Sequence, residues 1–166
     1  MTIGYPTIDL TDDQEHAKRA WEDLRVRLHD LAGFDLDAHL AQIKMLEIGC
    51  GRAEFLRYAK EQGIDIVGID KNLFGINDLP ILQADIATGI PFDDDVFDLL
   101  YARGVFDPMH RFDQDQAFDE IQRVMKNGAL FAIEGVKQPN FEIAKRHGLE
   151  LTKPTHADYY SVLKKV

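Results

Sequence analysis

Apolar residues recur at steps of three and four along Ala17, Ala20, Trp21, Leu24, Leu28 and Leu31, the period of one helix face. Just ahead of them, Thr11-Asp12-Asp13-Gln14 has the form of a capping box, with two acids suited to the positive end of a helix. A helix is therefore predicted from about Thr11, stopped at Gly33, with its stripe packed on the domain body. A dimer seam or an amphipathic lid over a substrate pocket would use the same stripe. Residues 1–10 carry no periodic signal, and a short helical piece is expected over Asp37 to Gln42 with Asp37 as its cap.

From Lys44 the pattern changes to short apolar runs alternating with helical segments, the signature of βαβ units and a parallel sheet. The runs are Lys44 to Ile48, Ile64 to Ile69, Ile81 to Gln83, Val96 to Tyr101 and Ala129 to Ile133. Helices are expected over Arg52 to Gln62, over a segment capped by Asp113 and ending at Asn127-Gly128, and over about Pro139 to Arg146. Only Lys71 to Pro80 separates the second run from the third, so that crossover must be short or irregular. Leu149 to Lys153 and Tyr159 to Leu163 face each other across a turn, as a hairpin would. The organisation is an N-terminal helical cap, residues 1–43, on an α/β core, residues 44–166.

Composition narrows the setting. With 166 residues the chain is read as one domain, and a single Cys excludes an intramolecular disulfide and a Cys-rich metal site. No metal is expected. No apolar run is long enough for a membrane span and no signal peptide is evident, so the expected compartment is the cytoplasm. The formal charge of −10 disfavours polyanionic partners. That charge is uneven: from Lys137 to Val166 six basic residues stand against three acidic ones, a net of +3, so a basic docking segment for RNA stays open.

In an open parallel sheet, ligands bind outside the carboxyl ends of the strands. The first run ends in Glu47-Ile-Gly49-Cys50-Gly51, where glycines permit a sharp turn and close approach to a ligand. Asp70 ends the second run, placed to accept bonds from both hydroxyls of a ribose. A dinucleotide fingerprint would require glycine where Glu54 stands, and Glu47 and Glu54 would repel a diphosphate. The implied ligand is a nucleoside with a cationic tail.

At this point Leu46-Glu-Ile-Gly-Cys-Gly51, Gly68-Ile-Asp70, Gln83-Ala-Asp85-Ile86, Phe97-Asp98-Leu-Leu and Glu120 to Gly128 resemble, in order, the motifs of the class I S-adenosylmethionine-dependent methyltransferases. Ala53 stands where a third glycine is frequent, and Asn127 where proline is usual. The resemblance implies a three-layer Rossmann-like sandwich, its seven-stranded sheet mostly parallel with the last strand antiparallel. It also implies S-adenosyl-L-methionine as cofactor. Gly49, Cys50 and Gly51 would lie under its methionine part, with Glu47 anchoring their surroundings. Asp70 would hold the ribose, Asp85 the adenine amine, and Ile86 would pack on the ring, with Lys71, Asn72 and Leu73 in the same pocket.

The acceptor is less legible. Candidate bases at strand ends are Asp107 and His110, and His156 in the last turn, while Arg103 is a candidate to bind a carboxylate of cofactor or substrate. The Asn/Asp-Pro-Pro-aromatic step of amino-methylating DNA enzymes is absent after the fourth run, and Cys50 sits in the wrong place for a cytosine nucleophile. A small-molecule acceptor is expected. An RNA or protein acceptor and a catalytically silent cofactor-binding subunit are the alternatives, with monomer and homodimer both open.

Overall fold

A computed structural model describes residues 10–107, 109, 111–154 and 159–166. Seven strands form one sheet in the order β3-β2-β1-β4-β5-β7-β6: β1 Lys44–Ile48, β2 Asp65–Asp70, β3 Ile81–Gln83, β4 Phe97–Arg103, β5 Met125–Glu134, β6 Leu149–Leu151 and β7 Tyr160–Lys165. Pairings from β3 through β5 are parallel, whereas β7 runs antiparallel to both β5 and β6. The sheet expected from the sequence is therefore present, with β7 as its one reversed strand. Order reverses beside β1, where β2 lies on one side and β4 on the other, so the ligand crevice belongs at the β1 carboxyl end.

Helices cover both faces. On one, α1 Leu10–Ala32 and α2 Glu54–Glu61 bury Trp21, Leu24, Leu28, Phe55 and Leu56 against Met45, Leu99, Tyr101, Ala132, Tyr160 and Val162. Trp21 meets the Phe55 ring at 6.1 Å between centroids. On the other, α3 Arg111–Val124 and α4 Phe141–Arg146 bury Ala117, Phe118, Ile121 and Ile143 against Leu46, Ile48, Leu100, Phe131 and Ile133. Strand residues alternate between these two clusters, as the pleat requires.

Several boundaries differ from the sequence reading for local reasons. Thr11 lies inside α1, which runs from Leu10. Gly33 does stop it, at φ +64°, with its amide and that of Phe34 donating to the His29 and Leu28 carbonyls. Asp37–Gln42 is a 3-10 helix rather than an α-helix, and Asp37 is spent on an ion pair with Arg25. The capping acceptor there is Asp35, whose Oδ1 receives the Ala38 amide at 3.3 Å. Helix α3 starts at Arg111, ahead of the expected cap Asp113, and ends at Val124, so Met125 opens β5 instead of closing the helix. Residues 71–80 form an irregular loop, as the short spacing requires.

Candidate functional site

The turn after β1 is built by glycines. Gly49 and Gly51 have φ of +70° and +52°, the left-handed region that a Cβ disfavours. A Cβ on Gly49 would stand 2.7 Å from Val105 Cγ2. The turn is tied to β2: the amides of Gly49 and Cys50 donate to the Ile69 carbonyl, and that of Gly51 donates to Asp70 Oδ2 at 2.8 Å. Asp70 Oδ1 accepts the Asn72 amide at 2.9 Å. A carboxylate offers about four lone-pair sites, so Asp70 braces two loops and keeps acceptor capacity toward a ligand. Ala53, at φ +63°, adopts the left-handed conformation that explains the frequent third glycine, and α2 starts directly after it.

Beyond this turn lies a cavity of about 510 Å³, lined at the ends of β1, β2 and β3 by Gly49, Asp70, Lys71, Asn72, Asp85 and Ile86. Arg103 at the end of β4, Gly104, Val105 and Met109 of the loop after it, and Asp113 of α3 complete the lining. Burial raises the Asp85 pKa, but the Ala87 amide at 2.9 Å and the Lys71 ammonium at 3.1 Å outweigh it and hold the carboxyl below its ordinary value. Under the glycine turn, Glu47 is 6% exposed and its Oε2 has no hydrogen-bond partner. Burial, then the charges of Glu54 and Asp70, push its pKa well above the glutamate range, against the pull of Arg103. A tight glycine turn with carboxylates at the next two strand ends, Asp70 and Asp85, fits the hydroxyls and amine of a nucleoside.

On the α1 side of the sheet, register aligns a polar row across three strands. Arg103 on β4 pairs with Glu134 on β5, and Glu134 pairs with Tyr160 on β7. Tyr101 donates its hydroxyl to Glu134 Oε2 at 2.7 Å, while Glu134 Oε1 lies 3.6 Å from Arg103 Nε. Burial, then the neighbouring Tyr160 and Glu134, raise the Tyr101 pKa, so the phenol remains a donor. A second cavity of about 450 Å³ opens here, lined by His16, Arg19, Ala20, Glu22, Asp23 and Val26 of α1 together with Arg103 and Glu134. Arg103 is common to both cavities.

Of the residues singled out from the sequence, Gly49, Asp70, Lys71, Asn72, Asp85, Ile86 and Arg103 meet at the larger cavity. Glu47, Cys50 and Gly51 lie outside its lining, in β1 and in the turn that bonds Ile69 and Asp70. Burial, then Glu47 and Asp70, push the buried Cys50 thiol up to about 12, so it is a neutral packing group. Leu73 is not in the lining and is 52% exposed. Asp107 also lies outside the lining: its Oδ1 accepts the Lys137 amide at 2.6 Å, pinning the loop after β5. His110 and His156 fall outside the described residues. Sequence reasoning passed over Glu134, Val105 and Asp113 as individual site residues. The strand-end rule marks their neighbourhood, yet only register shows that Glu134 stands beside Arg103. Among the described residues no group of three His, Cys, Asp or Glu side chains is placed to hold a metal ion, and no helix is long and apolar enough to cross a membrane.

Comparison with known proteins bears on the family and the fold. The model of a family described as "Methyltransferase domain" matches residues 46–133. A comparison with curated protein sequences finds no match. Among solved structures, a Pyrococcus horikoshii protein superposes with a TM-score of 0.70 at 17% identity, covering 98% of this chain and 96% of its own. A TehB-like S-adenosylmethionine-dependent methyltransferase from Corynebacterium glutamicum gives 0.62 at 23% identity, over 92% and 99%. A Galdieria sulphuraria protein assigned as a sarcosine dimethylglycine methyltransferase gives 0.62 at 20% identity, over 84% of this chain, which spans 64% of the Galdieria protein's length. At these identities the likeness is one of fold.

Proposed function

We propose, from the premise that this chain belongs to the methyltransferase-domain family, that it moves the methyl group of S-adenosylmethionine onto a small-molecule acceptor. The coarse activity, S-adenosylmethionine-dependent methyl transfer, follows from family membership. The observation that carries the cofactor assignment is the cavity bounded by Gly49, Asp70 and Asp85 at three adjacent strand ends. When bound, the cofactor supplies an electrophilic methyl group on a cationic sulfur, and the bond to sulfur breaks as the acceptor atom bonds to carbon.

The protein's own contribution is binding and alignment. In this reading Asp70 accepts from the ribose hydroxyls while its backbone bonds keep the glycine turn in place. Asp85 faces the adenine amine with Lys71 beside it, and Ile86 offers an apolar surface to the ring. Gly49, Cys50 and Gly51 leave room for the methionine part above Glu47, and Asn72 closes the ribose side. Asp107 serves as a loop brace, and His110 and His156 are retained as candidate bases. Arg103, shared by the two cavities, marks where cofactor and acceptor sites adjoin.

A small acceptor is supported by a second cavity of small-molecule size beside Arg103, lined by residues of both charges rather than by a basic face. Part of the C-terminal positive charge is internally paired: Lys165 bonds Asp95 and Arg146 pairs with Asp115, while Lys153 donates to the Asp30 carbonyl. That leaves less charge for docking RNA. The cytoplasm is the proposed compartment. Calorimetry with S-adenosylmethionine, S-adenosylhomocysteine and NAD tests the cofactor, and turnover of labelled cofactor with a metabolite extract, repeated with cell RNA, tests the acceptor. Binding of NAD alone would defeat the proposal. Cofactor binding with no turnover on either extract would favour a silent subunit.

A further inference from the structure

The second cavity joins α1, the element expected from sequence to be packing, lid or seam, to the polar row at the carboxyl ends of β4 and β5 and the amino end of β7. Its lining carries both signs of charge. The acids are largely engaged: Asp23 pairs with Arg27 at 3.6 Å, and Glu134 receives the Tyr101 hydroxyl. The arginines are engaged less. Arg19 has no hydrogen-bond or ion-pair partner among the described residues. Arg103 has only the 3.6 Å approach of its Nε to Glu134, which leaves its terminal nitrogens unused.

A second observation points to the same place. Tyr160, in register with the lining residue Glu134, is 2% exposed and its hydroxyl has no partner. An unsatisfied buried hydroxyl is costly, so such a group next to a lining residue is a natural partner for a polar ligand. Two guanidiniums, Arg19 on α1 and Arg103 on β4 with its terminal nitrogens turned to no described partner, match a carboxylate. Glu134, held by Tyr101, and Asp23 offer negative charge for an amine on the same molecule.

Resting on the methyltransferase reading above, we infer that this cavity is the acceptor subsite and that it takes an amino-carboxylate, its carboxylate between Arg19 and Arg103 and its amine toward Glu134. The volume of about 450 Å³ admits an amino acid with an apolar side chain, for which Ala20 and Val26 provide surface. Helix α1 is then a wall of the acceptor site, and residues outside the cofactor core set its specificity.

The test uses two probe series in which one charged group is removed at a time: sarcosine, sarcosinamide and methoxyacetate; and phenylalanine, phenylalaninamide and 3-phenylpropanoate. Binding is measured by calorimetry on the protein saturated with S-adenosylhomocysteine, and methyl transfer is followed from labelled cofactor. The amino-carboxylate of at least one series should bind about tenfold or more tighter than its amide and than its amine-free analogue. Arg19→Gln should erase the advantage over the amide while leaving S-adenosylhomocysteine affinity unchanged, because Arg19 does not line the cofactor cavity. Equal binding of acid and amide, survival of the advantage in Arg19→Gln, or binding of no probe by protein that still binds S-adenosylhomocysteine overturns the inference and leaves the methyltransferase reading standing. Failure to bind S-adenosylhomocysteine or S-adenosylmethionine at all defeats both.

Discussion

Replacing Asp70 by Asn tests the centre of the site with a change of little volume. Its two oxygens receive the Gly51 amide at 2.8 Å and the Asn72 amide at 2.9 Å, one on each. An Asn carbonyl can serve only one of them, and its NH₂ faces the other, donor against donor. A hydrogen bond to a charged acceptor is worth about 1.5–3 kcal/mol, so the turn should lose about that much. For a domain of this size that corresponds to a fall in Tm of roughly 3–12 °C. The same exchange removes charge and acceptor capacity facing the ribose hydroxyls, which predicts about 10- to 150-fold weaker S-adenosylhomocysteine binding. Calorimetric titration and thermal unfolding read the two effects separately. Asp78→Asn, which breaks an exposed pair with Arg57, is the control and should change neither. A lower Tm with unaltered affinity would refute the ribose assignment, and no change in either would refute the bracing argument as well.

Other perturbations follow from the same contacts. Gly49→Ala forces a Cβ into left-handed backbone and to 2.7 Å from Val105 Cγ2, so stability should fall by about 1–2 kcal/mol from conformation alone, and Val105→Ala in addition should recover only the steric part in denaturant titration. Gly68→Ala brings a Cβ to 2.6 Å from Leu56 Cδ1 and 2.9 Å from Cys50 Sγ, and overpacking of this kind should cost about 1–3 kcal/mol in unfolding. Glu47 has a folded pKa above its unfolded value, so the folded state binds the extra proton and its stability drops as pH rises from the unfolded pKa through the folded one; Glu47→Gln should raise Tm at pH 8 and not at pH 4. Glu120 is the opposite case: its bonds from Arg123 lower the folded pKa, so that stability is present above about pH 4.3 and is lost as pH falls through the folded value. Glu120→Gln should therefore flatten the acid limb of a Tm-against-pH profile.

The periodic stripe of α1, the run-and-helix alternation after Lys44 and the strand-end residues Gly49, Asp70 and Asp85 are all local patterns, and they suffice to place the sheet and the cavity at its strand ends. This works because burial on both faces of a parallel sheet imposes continuous apolar runs, and because glycine and carboxylate are demanded at fixed points of the turn chemistry. Helix ends were less legible. Asp37 and Asp113 look like caps in sequence, but Asp37 finds Arg25 across a long separation, and α3 continues two residues beyond Asp113 toward its start.

Other features depended on the tertiary structure alone. Arg103, Glu134 and Tyr160 belong to three strands distant in sequence, and only their register makes them one row. Likewise, that Asp107 braces a loop rather than lining the cavity depends on where the chain after β5 returns. A sequence names the strand a residue ends, because burial and turn chemistry are local. Which side chains then share a cavity is set by pairing between distant strands and by the helix packed across them, and no residue carries that information by itself.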